Sequence, residues 1–254
     1  MLCNFLDSAM SLYQPKALDF LRHPKALLDF KRGDKANMHR LIILKSAKKL
    51  WPTDKSIVKG FDNALKELNQ SELVPFSTTY DIPVGNNLNT TFGKWIYCCV
   101  RVFKPQVMVE TGVSHGYSSW VILNALHKNG NGHLYSIDLP DHDTNDSYNV
   151  EGESKVGWMV PDGLKNQWTL QLGDAKKLLP ALMDELSAID LFFHDSDHSY
   201  EHMTFEFQCV YESVKSGGLI LSDDVDKNTA FQELVAAKAL NAVQFGKGGA
   251  AIKA

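Results

Sequence analysis

Cysteine is scarce in this chain and poorly placed for cross-linking. Its four residues are Cys3, Cys98, Cys99 and Cys209, two of them adjacent and none spaced as C-x-x-C. That excludes a disulfide framework and a thiolate zinc site, and a reducing, cytoplasmic setting is expected. Excess positive charge is missing too. Lysine and arginine number 26 against 30 acids, a net charge of -4, which argues against nucleic acid as the partner. No run approaches the roughly 18 apolar residues of a membrane span, and no cationic stretch precedes the apolar residues of the N-terminus. Neither a membrane partner nor export is therefore expected. Glycine (17) and proline (9) are too few among 254 residues for a fibrous or low-complexity chain.

What is present is ordinary globular composition, 44% hydrophobic and 22% charged. The length suits one large α/β unit or a core with an appended segment. The charge is unevenly spread. Residues 1–104 hold 16 of the basic and 9 of the acidic residues, a balance of +7, whereas residues 105–254 balance at -11. Such a split arises by chance on helical surfaces, or from carboxylates gathered in the second part.

Apolar residues at three- and four-residue spacing predict helices over Ala17 to Phe30, Met38 to Trp51, Ser56 to Leu68 and Thr91 to Phe103, the last capped by Asn89 or Thr90. A polar, turn-rich stretch from Ser71 to Asn89 reads as a loop. From Pro105 onward short apolar strands alternate with helices, as in a mostly parallel sheet covered on both faces. The strands are Val107 to Thr111, Leu134 to Asp138, Trp168 to Leu172, Ile189 to His194 and Leu219 to Ser222. Helices are expected over Tyr117 to Lys128, Ala175 to Leu186, Tyr200 to Val214 and Asn228 to Leu240. Ala242 to Phe245 and Ala250 to Lys253 flank a glycine-rich turn and read as a closing hairpin, giving seven strands in all. The segment Pro140 to Gln167 is long for a strand-to-helix connection, which points to a lid or acceptor loop carrying Tyr148, Trp158 and Met159.

Gly112-Val113-Ser114-His115-Gly116 follows the first strand and opens a helix. It can be read three ways. As G-x-S-x-G it is the nucleophile elbow of a serine hydrolase, but no oxyanion segment lies upstream and no histidine follows His202 to complete a triad. As a dinucleotide fingerprint it fails at the second glycine, where Ser114 stands. As the turn for an adenosyl cofactor without a pyrophosphate it is acceptable, with the helix N-terminus open to a carboxylate and Asp138, ending the next strand, placed to hold ribose hydroxyls.

With E-T-G-V-S-H-G-Y-S, then Y-S-I-D, then G-D-A-K-K-L-L-P, the chain from about residue 91 resembles the class I S-adenosylmethionine-dependent methyltransferases. Within them it is most similar to the metal-dependent small-molecule O-methyltransferases, of the catechol and caffeoyl-CoA type and of the branch acting on macrolide sugars and in cephalosporin clusters. The resemblance implies an α/β, Rossmann-like sheet over residues 91–254, preceded by a helical segment over residues 1–90 that covers the site or serves a homo-oligomer. It implies that Glu110, Gly112, Gly116 and Ser118 lie around the methionine part, Asp138 at the ribose and Asp174 near the adenine.

Two acidic groups end the fourth and fifth strands: Asp195, with Asp197 beyond it, and Asp223-Asp224, with Asp226 beyond. Neighbouring strands lie about 4.8 Å apart, so Asp195, Asp223 and Asp224 can converge if those strands pair. Crowded carboxylates need a proton or a cation, and oxygen donors favour a hard ion such as Mg²⁺. In the resembled family the corresponding positions bind the metal, and Asp195 also borders the cofactor. His198, three residues past Asp195, falls where those enzymes carry a catalytic base. His198 and His202 also spell H-x-x-E-H, a zinc-peptidase pattern, but too little chain follows to complete that fold. The expected activity is divalent-metal-dependent methyl transfer to a hydroxyl of a small molecule or saccharide, the alternatives being a metal-independent methyltransferase or the serine hydrolase.

Overall fold

A computed structural model describes residues 35–70, 73–74, 90–140 and 156–254. The helix expected at Ala17 to Phe30, Asn89 and Tyr148 lie outside them.

Among the described residues three helices come first: α1 (Lys35–Leu50), α2 (Lys55–Gln70) and α3 (Thr91–Phe103). Thr90 caps α3, its hydroxyl accepting from the Gly93 N–H, which satisfies one of the amides that a helix start leaves unpaired. Then strands and helices alternate: β1 (Val107–Thr111), α4 (Tyr117–Asn129), β2 (His133–Asp138), a 3₁₀ turn (Asp162–Gln167), β3 (Trp168–Leu172), α5 (Ala175–Leu186), β4 (Ile189–His194), α6 (Tyr200–Tyr211), β5 (Val214–Ser222) and α7 (Ala230–Ala237). The chain closes with β6 (Asn241–Phe245) and β7 (Gly248–Ile252).

The seven strands lie in the order β3-β2-β1-β4-β5-β7-β6. The first five run parallel, and β7 pairs antiparallel with both β5 and β6. The hairpin expected at the C-terminus is therefore present, inserted so that its second strand sits next to β5. The alternating side chains of each strand are buried on opposite faces of the sheet. Met108, Leu191, Phe193, Leu219 and Leu221 join one core with α1 to α4, while Val109, Phe192 and Ile220 join the other with α5 to α7.

The helical segment shares the first of these cores. The Trp95 ring of α3 packs tilted against Phe61 of α2, 5.0 Å between centroids, and Phe245 of β6, 4.7 Å. The Asn241 side chain of β6 donates to the Leu50 carbonyl at the end of α1. The apolar run Trp95 to Val100 is buried within the chain, so core packing accounts for it.

Candidate functional site

The order of the strands reverses between β1 and β4, and ligands of open parallel sheets bind at such a crevice, beyond the C-terminal ends of the strands. The loop from Gly112 to Gly116 forms one wall. Gly112 (φ 83°) is held by its N–H donating to the Ile137 carbonyl at 2.9 Å, and a Cβ there would stand 2.0 Å from the Asp195 carbonyl oxygen. Only glycine allows β1 and β4 to release their loops this close together. Gly116 (φ 93°) is the N-cap of α4 and gives no side-chain cap, so this helix start stays suited to an anionic group.

Asp138 shapes this loop from β2. Its Oδ2 accepts from the Val113 N–H at 2.6 Å and the Ser114 N–H at 2.9 Å. The Gly173 N–H donates to the Asp138 carbonyl at 2.8 Å, bringing Asp174 alongside. Asp174 itself caps α5 by accepting from the Lys176 N–H at 2.9 Å. Leu139, next after Asp138, is 66% exposed, an apolar surface beside these two acids that sequence reasoning did not single out.

Glu110 is fully buried on β1. One carboxylate oxygen, Oε2, accepts from the hydroxyls of Ser119 (2.5 Å) and Ser136 (2.7 Å), while Oε1 has no hydrogen-bond partner. Burial pushes its pKa up to about 6, against the pull of the Ser118, Ser119 and Ser136 hydroxyls. A half-satisfied buried carboxylate beside an uncapped helix start fits a ligand that brings a donor, as an amino acid does.

The segment 156–160 seats on the loop. The Gly157 N–H donates to the Ser114 carbonyl at 2.8 Å and the Met159 N–H to the His115 carbonyl at 3.0 Å. Trp158 meets the His115 ring edge-on at 6.0 Å. Met159, expected to face an acceptor, is fully buried, so that expectation is corrected: it anchors the segment. The Ser114 hydroxyl contacts its own neighbour, His115 Nδ1, at 3.0 Å. No buried acid orients that imidazole among the hydrogen bonds described, so a hydrolase triad is not assembled there.

On the other side, His198 lies between Asp195 (Nε2 to Oδ1, 3.8 Å) and Asp224 (Nδ1 to Oδ2, 3.9 Å), with its carbonyl held by the Asn228 amide at 2.9 Å. Burial, then the neighbouring His194, pushes it down to about 4, so at neutral pH the ring keeps a lone pair. Burial raises Asp195 well above the usual carboxylate range although 31% of its side chain is open, and Asp223 and Glu110 add to the rise. Asp223 is likewise raised by burial and by Asp224.

Asp224 differs from both. Lys227 Nζ stands 2.6 Å from its Oδ2 and Lys247 Nζ 3.0 Å from its Oδ1, and these two ammoniums hold its carboxyl low despite burial. Of the expected ligand set Asp195, Asp223 and Asp224, the last thus faces two lysines, and among the described residues no group of three His, Cys, Asp or Glu side chains is placed to hold a metal ion. The donors do not fit a divalent ion as they stand, because one of the three is spent on lysines. Nor do His198 and His202 converge, since His202 Nε2 bonds Glu206 at 2.8 Å.

Sequence reasoning missed the network behind His198. Glu206 of α6 is fully buried and accepts from Thr111 Oγ1 (2.6 Å), His194 Nδ1 (2.6 Å), Ser196 Oγ (2.8 Å) and His202 Nε2 (2.8 Å), joining β1, β4, the following loop and α6. The one available signal was an acid on the apolar stripe Met203, Phe207, Val210 of α6.

A family profile described as a methyltransferase domain matches residues 109–225. The chain is similar to the O-methyltransferase TomG from Streptomyces achromogenes, which is involved in tomaymycin synthesis and was solved with S-adenosylmethionine. The identity is 17%, over 79% of this chain and 90% of that one, with a TM-score of 0.50. It is also similar to a cofactor-bound protein from MTB, at 16% identity over 77% of this chain and 89% of the other, with a TM-score of 0.50. No curated protein matches. Residues 109–225 thus match a methyltransferase-domain profile, and the chain, with its seven-stranded sheet and antiparallel C-terminal hairpin, shares the fold of the O-methyltransferase structure it resembles.

Proposed function

We propose that this protein transfers the methyl group of S-adenosylmethionine to a hydroxyl oxygen of a small molecule or saccharide, in the cytoplasm. The observation that carries the reading is the position of His198, between Asp195 (3.8 Å) and Asp224 (3.9 Å) in the loop after β4 whose Asp195 backbone passes against Gly112. The free Cys98, Cys99 and Cys209 accord with a reducing compartment.

Five groups would hold the donor. The helix start at Gly116 receives its carboxylate, Glu110 Oε1 accepts from its amino group, Asp138 takes ribose hydroxyls, and Asp174 and Leu139 border the base. Bound there, the sulfonium supplies a methyl carbon already activated for displacement. As the acceptor oxygen forms its bond to that carbon, the carbon–sulfur bond breaks with its electron pair leaving on sulfur, and His198 takes the hydroxyl proton. No covalent enzyme intermediate is required, and the protein acts chiefly by positioning two reactants. Mg²⁺ was expected from resemblance; since Asp224 is engaged by two lysines, no step here passes through a metal.

The test pairs binding with turnover. The demethylated donor should bind by calorimetry, and His198→Ala should lower methyl transfer to a hydroxyl acceptor by about 10²- to 10⁴-fold while changing that affinity less than about twofold. Because His198 is neutral well below pH 6, the wild-type rate should stay level between pH 8 and 6, where an ordinary imidazole would lose activity. An unchanged rate in His198→Ala removes His198 from the reaction.

A further inference from the structure

Asp223 and Asp224 follow β5, Asp195 follows β4, and Asp195 feels the charge of both others, so three carboxyl groups share one corner of the crevice. Such a corner needs cations or protons. Two cations are already there, and they come from separate elements. Asp224 adopts a left-handed backbone (φ 47°), a strained choice for a residue other than glycine, and the next turn is closed by the Lys227 N–H donating to the Asp224 carbonyl at 3.0 Å. That turn puts Lys227 Nζ 2.6 Å from Oδ2. Lys247 arrives from the β6–β7 turn, 23 residues later in the chain, and its Nζ stands 3.0 Å from Oδ1. The Val225 N–H donates to the Lys247 carbonyl at 2.8 Å, so the hairpin tip is tied to the Asp224 turn by its backbone as well. Each oxygen of a carboxylate only 11% exposed thus meets its own ammonium, while the lysine side chains remain 51% and 60% exposed.

We propose that Lys227 and Lys247 are the resident counter-cations of this acidic corner and take the place of a divalent ion. The pair carries the same two positive charges that Mg²⁺ would bring, delivered by the covalent chain and centred on Asp224. Asp195 and Asp223 are then the members of the trio not engaged by a lysine at salt-bridge distance. This rests on the methyl-transfer reading for its meaning, but its test does not.

The experiment is Mn²⁺ binding to the full chain, followed by electron paramagnetic resonance and calorimetry, with binding of the demethylated donor measured on the same samples. Wild type should bind Mn²⁺ no tighter than about 1 mM. The double variant Lys227→Ala/Lys247→Ala should bind it at least about tenfold tighter, because three carboxylates then face the ion without internal competitors. The double variant Lys227→Arg/Lys247→Arg, which keeps both charges, should behave as wild type. Both lysines are solvent-facing, so thermal melting should confirm folded variants. Micromolar Mn²⁺ binding by wild type overturns the proposal, and so does an alanine variant that gains nothing. If the demethylated donor does not bind while the Mn²⁺ results come out as expected, the methyl-transfer reading fails and the counter-cation assignment stands.

Discussion

Glu206 shows how much a single buried side chain organises. Four donors converge on its two oxygens, which lets a charged group sit with no exposed surface on the apolar face of α6. Burial alone would raise its pKa; the bonds from His194, His202 and Thr111 outweigh it and hold the carboxyl at about 2. An acid held below its unfolded value stabilises the fold above the unfolded pKa, near 4.5, and that contribution is lost as pH falls toward 2. The displacement corresponds to on the order of 3 kcal/mol. Urea midpoints measured from pH 6 to pH 3 should therefore fall steeply in wild type and less steeply in Glu206→Gln. Parallel slopes would show that the carboxylate charge is not what the network stabilises. His198 and Asp195 were legible in the sequence because they stand at a strand end, where chemistry collects. Glu206 and its partner His194 were not, because hydrogen bonds between β4 and α6 leave no local pattern.

At the scale of elements, β1 to β4 were readable to within a residue or two because they are short apolar runs, whereas β5 begins at Val214, five residues before the expected Leu219, through the polar stretch Lys215 to Gly218. The ends of α6 and α7 were read too long. Val214 opens β5, and α7 covers only Ala230–Ala237, since a helical apolar spacing continues into residues that tertiary pairing claims for other purposes. The turn at Gly112 was read from its glycine, and the structure supplies the reason: the backbone of the Asp195 loop passes where a side chain would begin. Gly112→Ala should therefore push the β1 and β4 loops apart. The expected cost is about 2 kcal/mol or more in unfolding free energy, from backbone strain at positive φ together with the clash. Weakened binding of the demethylated donor should accompany it, measured by calorimetry. An alanine variant with wild-type melting and affinity would mean that the two loops have slack. Lys247 shows the limit of reading by element. The hairpin was expected, but nothing in its sequence says that its tip carries a cation to an aspartate of another turn.

For the whole molecule, the charge split that looked like two parts resolves differently. Arg40 and Lys66 pair with Asp62, and Arg101 with Glu67, so several basic groups of the first part are matched within it. Several acids in the second part are screened by internal partners, among them Asp224 by its lysines, Asp190 by Lys215 and Asp162 by Lys165. The helices α1 to α3 are not an independent cover. Ile43, Leu50, Phe61 and Trp95 belong to the same core as Leu191, Phe193, Leu219 and Leu221 of the central strands, and a core of this kind unfolds as a unit. The intact chain should therefore show one calorimetric transition. A chain beginning at residue 90 would uncover the Trp95 and Phe61 contact and leave Phe245 and the sheet face beneath it open to water, an apolar patch of the kind that drives association. Such a truncation should aggregate, or melt well below the intact protein, and should lose donor binding together with its fold. If it melted cooperatively at the same temperature and still bound the demethylated donor, the helical segment would be a separable domain and the shared core would contribute little to stability.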